Sequence, residues 1–468
     1  MNTLALAVRN LARNRRRSIT TLAAIVVGAV AILLFGGYAR NIRFGMETDF
    51  VRSTGHLQLQ HRDYFLYGFG NPAAYGIADY RHVIDVVRRD PVLAPMLTVV
   101  TPTLQLGGIA GNFAADVSRT VLATGVDVAG QNALQRWNDY GFGGTARPIP
   151  LTGTAPDAAV VGFGVARVLQ LCGPLHVPGC KGGAPASPAP LAIAMPADIA
   201  ALTDASIGRP SISHGPIDRS PRVDLLAATA QGAPNVASLS VVRAVDEGAA
   251  ALDDVYVEIH LAQAQRLVYG GDPPQVTAII LQLRHTAQIP AARARLEHLL
   301  ATTLRSDALE VHDFETLQPY YGQVVAFLGA IFGFMAVLIG VIVLFTVGNT
   351  MSMAVLERTA EIGTLRALGL KRLGVRRIFL CEGLLLGLAG SALGVLAAIA
   401  LAALINHSGI TYSPPGRIDR VPLRVHLWGD LAPLIAVTVA LTAVAVISSW
   451  IPARRGARTH IVAALRHA

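Results

Sequence analysis

The chain has 468 residues, of which 52% are hydrophobic and only 15% are charged, and its net charge is +9. Average soluble domains carry roughly 25% charged residues, so this composition excludes an ordinary soluble enzyme and also a disordered chain. Aromatic residues make up only 6%, so the apolar content is mostly aliphatic, as in membrane helices. A basic chain can bind nucleic acid or anionic lipid, or can show the positive-inside bias of membrane proteins, and the positions of the charges distinguish these classes.

Four stretches are long and apolar enough to cross a bilayer, which requires about 20 mostly apolar residues in a helix. They predict transmembrane helices at residues 18–40, 322–348, 378–405 and 431–451. The first stretch is longer than the apolar core of a signal peptide, which has about 7–15 residues, so we interpret it as an uncleaved anchor.

Arginine and lysine flank these stretches on one side. Residues 1–17, 349–377 and 452–468 together carry +13, which leaves −4 for the rest of the chain. By the positive-inside rule these three segments are cytoplasmic, and residues 41–320 and 406–430 lie outside. Because the basic residues flank apolar spans and do not form one patch with interleaved aromatics, we expect no nucleic-acid partner.

Residues 41–320 have the composition and patterning of a soluble domain. Alternation of apolar and polar residues predicts strands at 55–60 and 276–284. Helical periodicity predicts four helices, at residues 79–89, 160–171, 261–269 and 290–301. The sequence therefore predicts an α+β domain of one or two subdomains inserted between the first two transmembrane helices.

No catalytic or metal-binding motif stands out in this domain. It lacks H-E-x-x-H, G-x-S-x-G and C-x-x-C, and His56, His61 and His82 have no partner at ligand spacing. A phosphate loop needs a lysine directly after a glycine, but Lys181 follows a cysteine and Lys371 follows a leucine. We therefore expect a non-enzymatic chain that binds neither metal nor nucleotide by these motifs.

Two of the three cysteines lie close together in the sequence. Cys172 and Cys180 are eight residues apart in a Gly/Pro-rich region, which continues to residue 221. In an oxidising compartment they could form a disulfide, and the alternative is two unrelated thiols. Cys381 lies within an apolar run and is expected to pack as a small hydrophobe.

The segment between the second and third predicted spans is the most informative part of the chain. Leu356, Ala360, Gly363 and Ala367 fall on one face of a short amphipathic helix that the sequence predicts within residues 354–369, and Glu357 and Glu361 stand one turn apart. Gly369 is a plausible C-cap. Such a helix could lie at the lipid headgroups, but two glutamates would then face anionic lipid, so docking to a protein partner is the favoured interpretation.

This segment carries a resemblance to a known family. The pattern E-R-x-x-E-I-G-x-L-R-A-L-G over residues 357–369, followed by Glu382-Gly383 in the third span, resembles the FtsX-like permease domain of MacB/LolC/LolE-type ABC transporters. Residues 452–466 and 6–17 resemble the terminal segments of that family, and residues 41–320 fit its periplasmic core domain.

The resemblance implies a fold of four transmembrane helices plus a periplasmic α+β domain, and a coupling helix on which a separate ATPase docks. The implied coupling residues are Glu357, Arg358, Glu361, Ile362, Gly363, Leu365, Arg366, Leu368 and Gly369. The two glutamates would pair with arginines of the ATPase, while Ile362 and Leu365 would fill its groove. Glu382 is costly in lipid, so it would face a neighbouring helix or, alternatively, snorkel to water.

The implied partners are two ABC ATPase subunits that carry ATP and Mg, a second permease copy or paralogue, membrane lipid, and a periplasmic adaptor or acceptor protein. The expected location is a bacterial inner membrane, with both termini cytoplasmic. The chain would power export or extraction of a lipoprotein, lipid or hydrophobic compound. The alternative is an FtsX-like signalling protein that regulates a periplasmic partner such as a cell-wall hydrolase. The substrate and the choice between homodimer and heterodimer stay open.

Overall fold

The computed structural model divides the chain into two compact units. One is built from Met1–Glu47, Pro319–Ser413 and Arg420–Ala468, and the other principally from Thr48–Gln318. The structure describes residues 3–13, 15–68, 70–113, 115–141, 147–178, 180, 221–248, 250–412, 421–427, 429 and 431–458. The first unit is mainly helical, and the second combines helices with a sheet.

The helices of the described residues fall into two length classes. The short helices are α1 (Thr3–Arg13), α3 (Tyr64–Tyr67), α4 (Tyr80–Arg89), α5 (Val128–Leu134), α6 (Phe163–Val168), α7 (Cys172–Leu175), α8 (Ala250–Asp253), α9 (Leu261–Tyr269), α10 (Ile289–Ala301), α11 (Phe314–Leu317) and α13 (Thr359–Ala367). The long helices are α2 (Arg15–Thr54), α12 (Pro319–Glu357), α14 (Arg372–His407) and α15 (Ala432–Arg458).

The four long helices are the candidate membrane spans. By length and composition, each of them is able to cross a bilayer. Each one is longer than the apolar stretch that predicted it; α2, for example, has 40 residues. The excess arises because hydropathy marks only the part of a helix that matches the bilayer, whereas backbone hydrogen bonding continues into the flanking polar turns.

Glycines let the long helices approach closely. An added Cβ at Gly394 would lie 2.5 Å from the Ala29 side chain of α2, and one at Gly387 would lie 2.9 Å from Thr442 of α15. Small residues at helix contacts allow the close packing that drives association of helices in lipid. A buried cluster that includes Ile25, Val343 and Leu386 fills the space between α2, α12 and α14.

The strands of the described residues belong to two sheets. They are β1 (Leu57–His61), β2 (Leu97–Asn112), β3 (Val117–Val126), β4 (Ala158–Gly162), β5 (Arg222–Ala228), β6 (Pro234–Val245), β7 (Tyr256–His260), β8 (Ala278–Leu283), β9 (Leu309–Asp313), β10 (Thr411–Tyr412) and β11 (Val421–Pro422). The nine strands of the α/β unit lie in the order β3-β7-β4-β6-β5-β2-β8-β1-β9, and an additional β2–β3 pairing closes six of them into a ring.

The α/β unit has two hydrophobic cores. One lies among the ring strands with α6 and α9, and it includes Leu104, Val165 and Leu225. The other lies among β1, β8 and β9 with α4 and α10, and it includes Leu59 and Leu296. The long strand β2 joins the two regions, because residues 97–103 pair with β8 and residues 103–112 pair with β3.

Most predicted elements of this unit occur close to their predicted positions, but the helix predicted at 160–171 is wrong at its start. Residues Ala158–Gly162 form β4, which is buried throughout and pairs with β6 on one side and β7 on the other. A short continuous apolar run does not distinguish a central strand from a buried helix by periodicity. The helix begins only at Phe163.

Candidate functional site

The junction between α12 and α13 is a helix break at Arg358. Its backbone has φ −106° and ψ 17°, outside the helical range, so α12 ends at Glu357 and α13 begins at Thr359. The Thr359 hydroxyl donates to the carbonyl oxygens of Val355 at 3.0 Å and Leu356 at 2.8 Å. Such back-bonding by threonine often bends helices, which is consistent with the break here. The predicted single helix is therefore two, and Glu357 lies at the end of α12.

Arg358 and Glu382 form a buried ion pair beneath this break. Nη1 of Arg358 lies 3.2 Å from Oε1 of Glu382, and the two side chains are only 9% and 3% exposed. Asn10 of α1 completes the network. Its side-chain Nδ2 donates to the Glu382 carboxylate at 2.7 Å, and its backbone carbonyl oxygen accepts from Nη2 of Arg358 at 3.0 Å. The network therefore joins α1, the α12–α13 break and α14.

Two further ion pairs connect the N-terminal helices to the same region. Nη1 and Nη2 of Arg17 donate to the two carboxylate oxygens of Glu357, at 2.9 and 2.7 Å. Arg13 pairs with Glu361. The two glutamates expected to meet arginines of a partner thus meet arginines of their own chain. These pairs are partly exposed, and such pairs contribute about 0–1 kcal/mol each, so they remain open to competition.

The inner face of α13 packs on its own chain. Ile362 is buried in a cluster with Val355, Val375, Phe379 and Ala453 of its own chain. Leu365 is partly buried.

The outward surface at this end of the unit includes Leu356 and Leu368, which are 67% and 81% exposed.

The C-terminus of α13 is closed by a Schellman motif. The N–H of Gly369 donates to the carbonyl of Arg366, and the N–H of Leu370 donates to that of Leu365. Gly369 has φ +99°, a conformation that glycine adopts without the steric cost of a Cβ. The predicted cap residue is therefore at its predicted place, and it fixes where α13 ends.

Sequence comparison identifies this part of the molecule. Residues 330–461 match the family described as FtsX-like permease C-terminal. The match contains α13, Glu382 and most of the last three long helices. These residues are therefore similar to the FtsX-like permease C-terminal family.

The relatives of the chain are permeases. It is 35% identical over 142 residues to "ABC transporter permease YtrF" of Bacillus subtilis, covering 30% of this chain and 32% of that protein. It is 28% identical over 244 residues to "Lipoprotein-releasing system transmembrane protein LolC" of Neisseria meningitidis, covering 50% and 56%. It is 27% identical over 199 residues to "Macrolide export ATP-binding/permease protein MacB" of Rhodopirellula baltica, covering 41% and 27%. The chain thus spans between about a quarter and just over half of the length of these relatives.

The structure adds residues to this site that the sequence pattern does not identify. Asn10, Arg13 and Arg17 lie outside the match to the FtsX-like permease domain, and in the sequence they appear only as part of a basic flank. An available signal is charge complementarity, because the N-terminal segment is basic and Glu357 and Glu361 are acidic. Of the remaining predicted residues, Gly363 is buried and Arg366 is partly buried.

The cysteines expected to pair lie outside the FtsX-like permease domain, in the α/β unit. Cys172, at the start of α7, and Cys180 are joined by a disulfide, with Cα atoms 5.8 Å apart. Residues 181–220, which make up most of the unusual region noted in the sequence, lie outside the described residues.

An acidic cluster in the α/β unit carries shifted pKa values. Burial, reinforced by the carboxyl of Glu247, raises the pKa of Glu258 from 4.5 to about 7. Burial, with Asp253 and Asp246 nearby, raises the pKa of Glu247 to about 6. Within the part of the chain that the structure describes, no group of three or more His, Cys, Asp or Glu side chains is placed to hold a metal ion. The raised pKa values of these buried carboxyl groups make the stability of this region depend on pH.

Proposed function

We propose that this chain is the membrane subunit of an ABC transporter and that a separate ATPase docks on the surface around α13. The observation that carries the proposal is the match of residues 330–461 to the FtsX-like permease domain, which contains α13 between two candidate spans. The similarity to a relative named as an ABC transporter permease supports it. The two lysines of the sequence do not form a phosphate loop, which favours an ATPase on another chain.

In this proposal α13 acts as the coupling helix. A force on α13 reaches α1 and α14 through the Arg358–Glu382–Asn10 network, because buried charges must move together to stay paired. The long helices α2 and α12 continue directly from this region to the two ends of the α/β unit in the chain. Conformational change would thus pass to the α/β unit, which we place on the periplasmic side of the inner membrane.

The transported class in this proposal is a lipoprotein, lipid or hydrophobic compound. Support comes from relatives whose names refer to lipoprotein release and to macrolide export. We further propose that two permease chains, identical or paralogous, pair with two ATPase subunits.

Co-purification with its ABC ATPase partner tests the docking surface. Leu368→Asp places a charge on a side chain that is 81% exposed, and we expect it to reduce ATPase recovery at least fivefold. The matched control is Leu431→Asp, since Leu431 is 71% exposed and precedes α15 at a position remote in sequence from α13. Equal recovery with both variants would contradict docking at α13.

Exchanging the charges of Glu361 and Arg13 distinguishes two roles of Glu361, namely contact with the ATPase and an ion pair within its own chain. Glu361→Lys opposes Arg13, and adding Arg13→Glu restores an intramolecular pair of reversed polarity. If Glu361 serves mainly to brace α13 against α1, the double variant recovers ATPase binding. If Glu361 contacts the ATPase directly, both variants lose the ATPase to the same extent.

A further inference from the structure

A groove in the α/β unit lies along one edge of β2. It has a volume of about 440 Å³ and is bordered by Arg88 of α4, residues 94 and 97–100, Asp127 and α5. This volume falls in the range of about 300–1,000 Å³ that is typical of small-ligand sites. Apart from Arg88, Asp127 and Thr98, the residues that line the groove are apolar or glycine.

The stretch of β2 beside the groove is paired on one edge only. At Thr103, β2 pairs with Ala278 of β8 on one edge and with Val126 of β3 on the other. Over residues 97–102 the pairing with β8 continues, whereas the opposite edge pairs with no strand of the described chain. An unpaired strand edge is a template for the backbone of another chain.

Val100 directs its backbone polar groups to this open edge. It lies opposite Leu281 of β8, whose carbonyl oxygen accepts from the N–H of His56 on the other side of β8. Two residues opposed in this way do not bond each other, so the N–H and C=O of Val100 point away from β8. Consistent with this direction, the Val100 carbonyl oxygen accepts from Nη2 of Arg88 at 2.6 Å.

The open edge ends at Thr101, where α5 packs directly on β2. An added Cβ at Gly130 would clash with Oγ1 of Thr101. The Asp127 carboxylate fixes this contact, since it accepts from the N–H of Gly130 at 3.1 Å and from the Thr101 hydroxyl at 3.4 Å. Residues 97–100 leave an open length of roughly 10 Å, at about 3.3 Å per residue. A short edge that is closed at one end fits the end of a chain and not a strand that continues past it.

The charge at the groove distinguishes the two ends of a chain. Arg88 is exposed, and its guanidinium lines the groove. The acidic lining residue, Asp127, is engaged by Gly130 and Thr101. Guanidinium groups form strong, charge-assisted hydrogen bonds with carboxylates, whereas they repel an ammonium group. Charge complementarity therefore selects the carboxyl end of a chain.

One wall of the groove is bonded to the end of α2. Nε2 of the buried Gln282 donates to the carbonyl oxygens of Val51 in α2, at 3.2 Å, and of Leu134 in α5, at 2.9 Å. Nε of Arg52 donates to the carbonyl oxygen of Trp137, just after α5, at 2.8 Å. A chain end held between β2 and α5 would thus contact a wall that is connected to a candidate membrane span.

We propose that this groove binds the carboxyl-terminal residues of a partner protein as a short strand added to β2, with the terminal carboxylate at Arg88. Main-chain hydrogen bonds to Val100 would supply affinity, as in other cases of strand addition. The proposal rests on the groove, the open edge and the charge of Arg88. It does not depend on an ATPase at α13, so failure of either proposal leaves the other standing.

Peptide retention by the full-length protein in detergent tests this proposal. The probes are two hexapeptide libraries, both randomised at the last four positions, one with free C-terminal carboxylates and the other with C-terminal amides. Mass spectrometry of the eluted peptides measures retention. We expect the free-acid library to be retained at least fivefold more than the amidated library. Equal retention of the two libraries would overturn the proposal.

Two pairs of variants locate the bound peptides. Arg88→Gln should reduce retention of the free-acid library at least fivefold, and the matched control is Arg89→Gln, because Arg89 is also an exposed arginine of α4 and does not line the groove. Ala94→Trp fills the groove from an exposed position and should have the same effect, whereas Ala291→Trp changes an exposed alanine of α10 outside the groove. Retention by Ala94→Trp equal to that of the wild type, or equal losses in the two controls, would show that the peptides bind elsewhere.

Discussion

The environment of Arg358 in the structure differs from the one that its sequence pattern predicts. Its place in the E-R-x-x-E pattern predicts a surface position on an amphipathic helix. In the structure it is 7% exposed and its guanidinium meets the carboxylate of Glu382. Burying either charge alone would cost several kcal/mol of folding free energy. Each side chain offsets the cost of burying the other. The alternative in which Glu382 snorkels to water does not fit its 2% exposure.

The pair makes a prediction at the residue scale. Glu382→Gln leaves the Arg358 charge buried without its counter-ion and should lower the free energy of unfolding by about 3–5 kcal/mol. Arg358→Met should cost a similar amount, because it strands the carboxylate. The double variant should cost at least about 1 kcal/mol less than the sum of the two, as is typical of directly coupled residues. Thermal or denaturant unfolding of the purified protein in detergent measures these differences.

The exposed pair Arg13–Glu361 supplies the control for this cycle. Its side chains are 63% and 48% exposed, so its removal should change stability by less than about 1 kcal/mol. Additive effects of Glu382→Gln and Arg358→Met would show that the buried pair does not form in the membrane protein.

At the scale of elements, β7 contains a buried ionisable side chain, which the hydrophobic pattern of the strand does not reveal. Glu258 lies in the middle of this strand, where it pairs with Thr124 of β3 and Val160 of β4, and it is 6% exposed. Burial, together with the neighbouring carboxyl group of Glu247, raises its pKa and favours its protonated form. The ring of strands thus includes an element whose stability depends on pH.

The expected pH dependence follows from proton linkage. Since the pKa of Glu258 rises from 4.5 to about 7 on folding, the folded state binds more protons within this window. Stability is therefore lost as pH increases from about 4.5 and the loss is complete above about 7; its size is on the order of 3 kcal/mol. Glu258→Gln should remove this loss, so β7 should open less readily in the variant than in the wild type at pH 8, with little difference at pH 5.

Hydrogen exchange of the full-length protein measures this opening. The wild type and the variant are compared at the same pH, so that intrinsic exchange rates cancel. Glu297→Gln is the control, because Glu297 is an exposed residue of α10 and its replacement should leave β7 unchanged. A variant less protected than the wild type at pH 8 would show that ionised Glu258 is stabilising, contrary to the linkage argument.

At the scale of the whole molecule, the two units differ in what holds them together. The helical unit relies on close helix contacts and a few buried polar groups, whereas the α/β unit has its own sheet and two apolar cores. The basic residues at both termini and near α13 favour one side of the membrane for all three segments. On this basis we propose that the α/β unit lies on the opposite side.

Cysteine labelling in spheroplasts tests this orientation. In a Cys381→Ser background, Tyr67→Cys lies on the α/β unit and Leu368→Cys lies next to α13; the native side chains are 67% and 81% exposed. A membrane-impermeant maleimide should label the first variant in intact spheroplasts and the second only after detergent is added. Labelling of the Leu368→Cys variant alone in intact spheroplasts would reverse the proposed topology.

The sequence by itself determined the four apolar helices, the mixed α/β content and the FtsX-like resemblance. It could do so because each of these depends on local properties, namely hydropathy over one helix length, short-range periodicity and a contiguous motif. It also located Gly369 as a cap, since a positive φ is a demand on one residue. The prediction from sequence failed at Ala158–Gly162, because this apolar run is equally compatible with a strand and a helix.

Only the tertiary structure decided which residues meet Arg358 and Glu382 at the break between α12 and α13. Asn10 meets Glu382 across a separation of 372 residues. Such contacts depend on how long helices pack, which no local pattern records. The same packing turned Glu357 of α12 and Glu361 of α13 toward the chain's own arginines, because opposite charges pair with whichever partner the fold brings within reach.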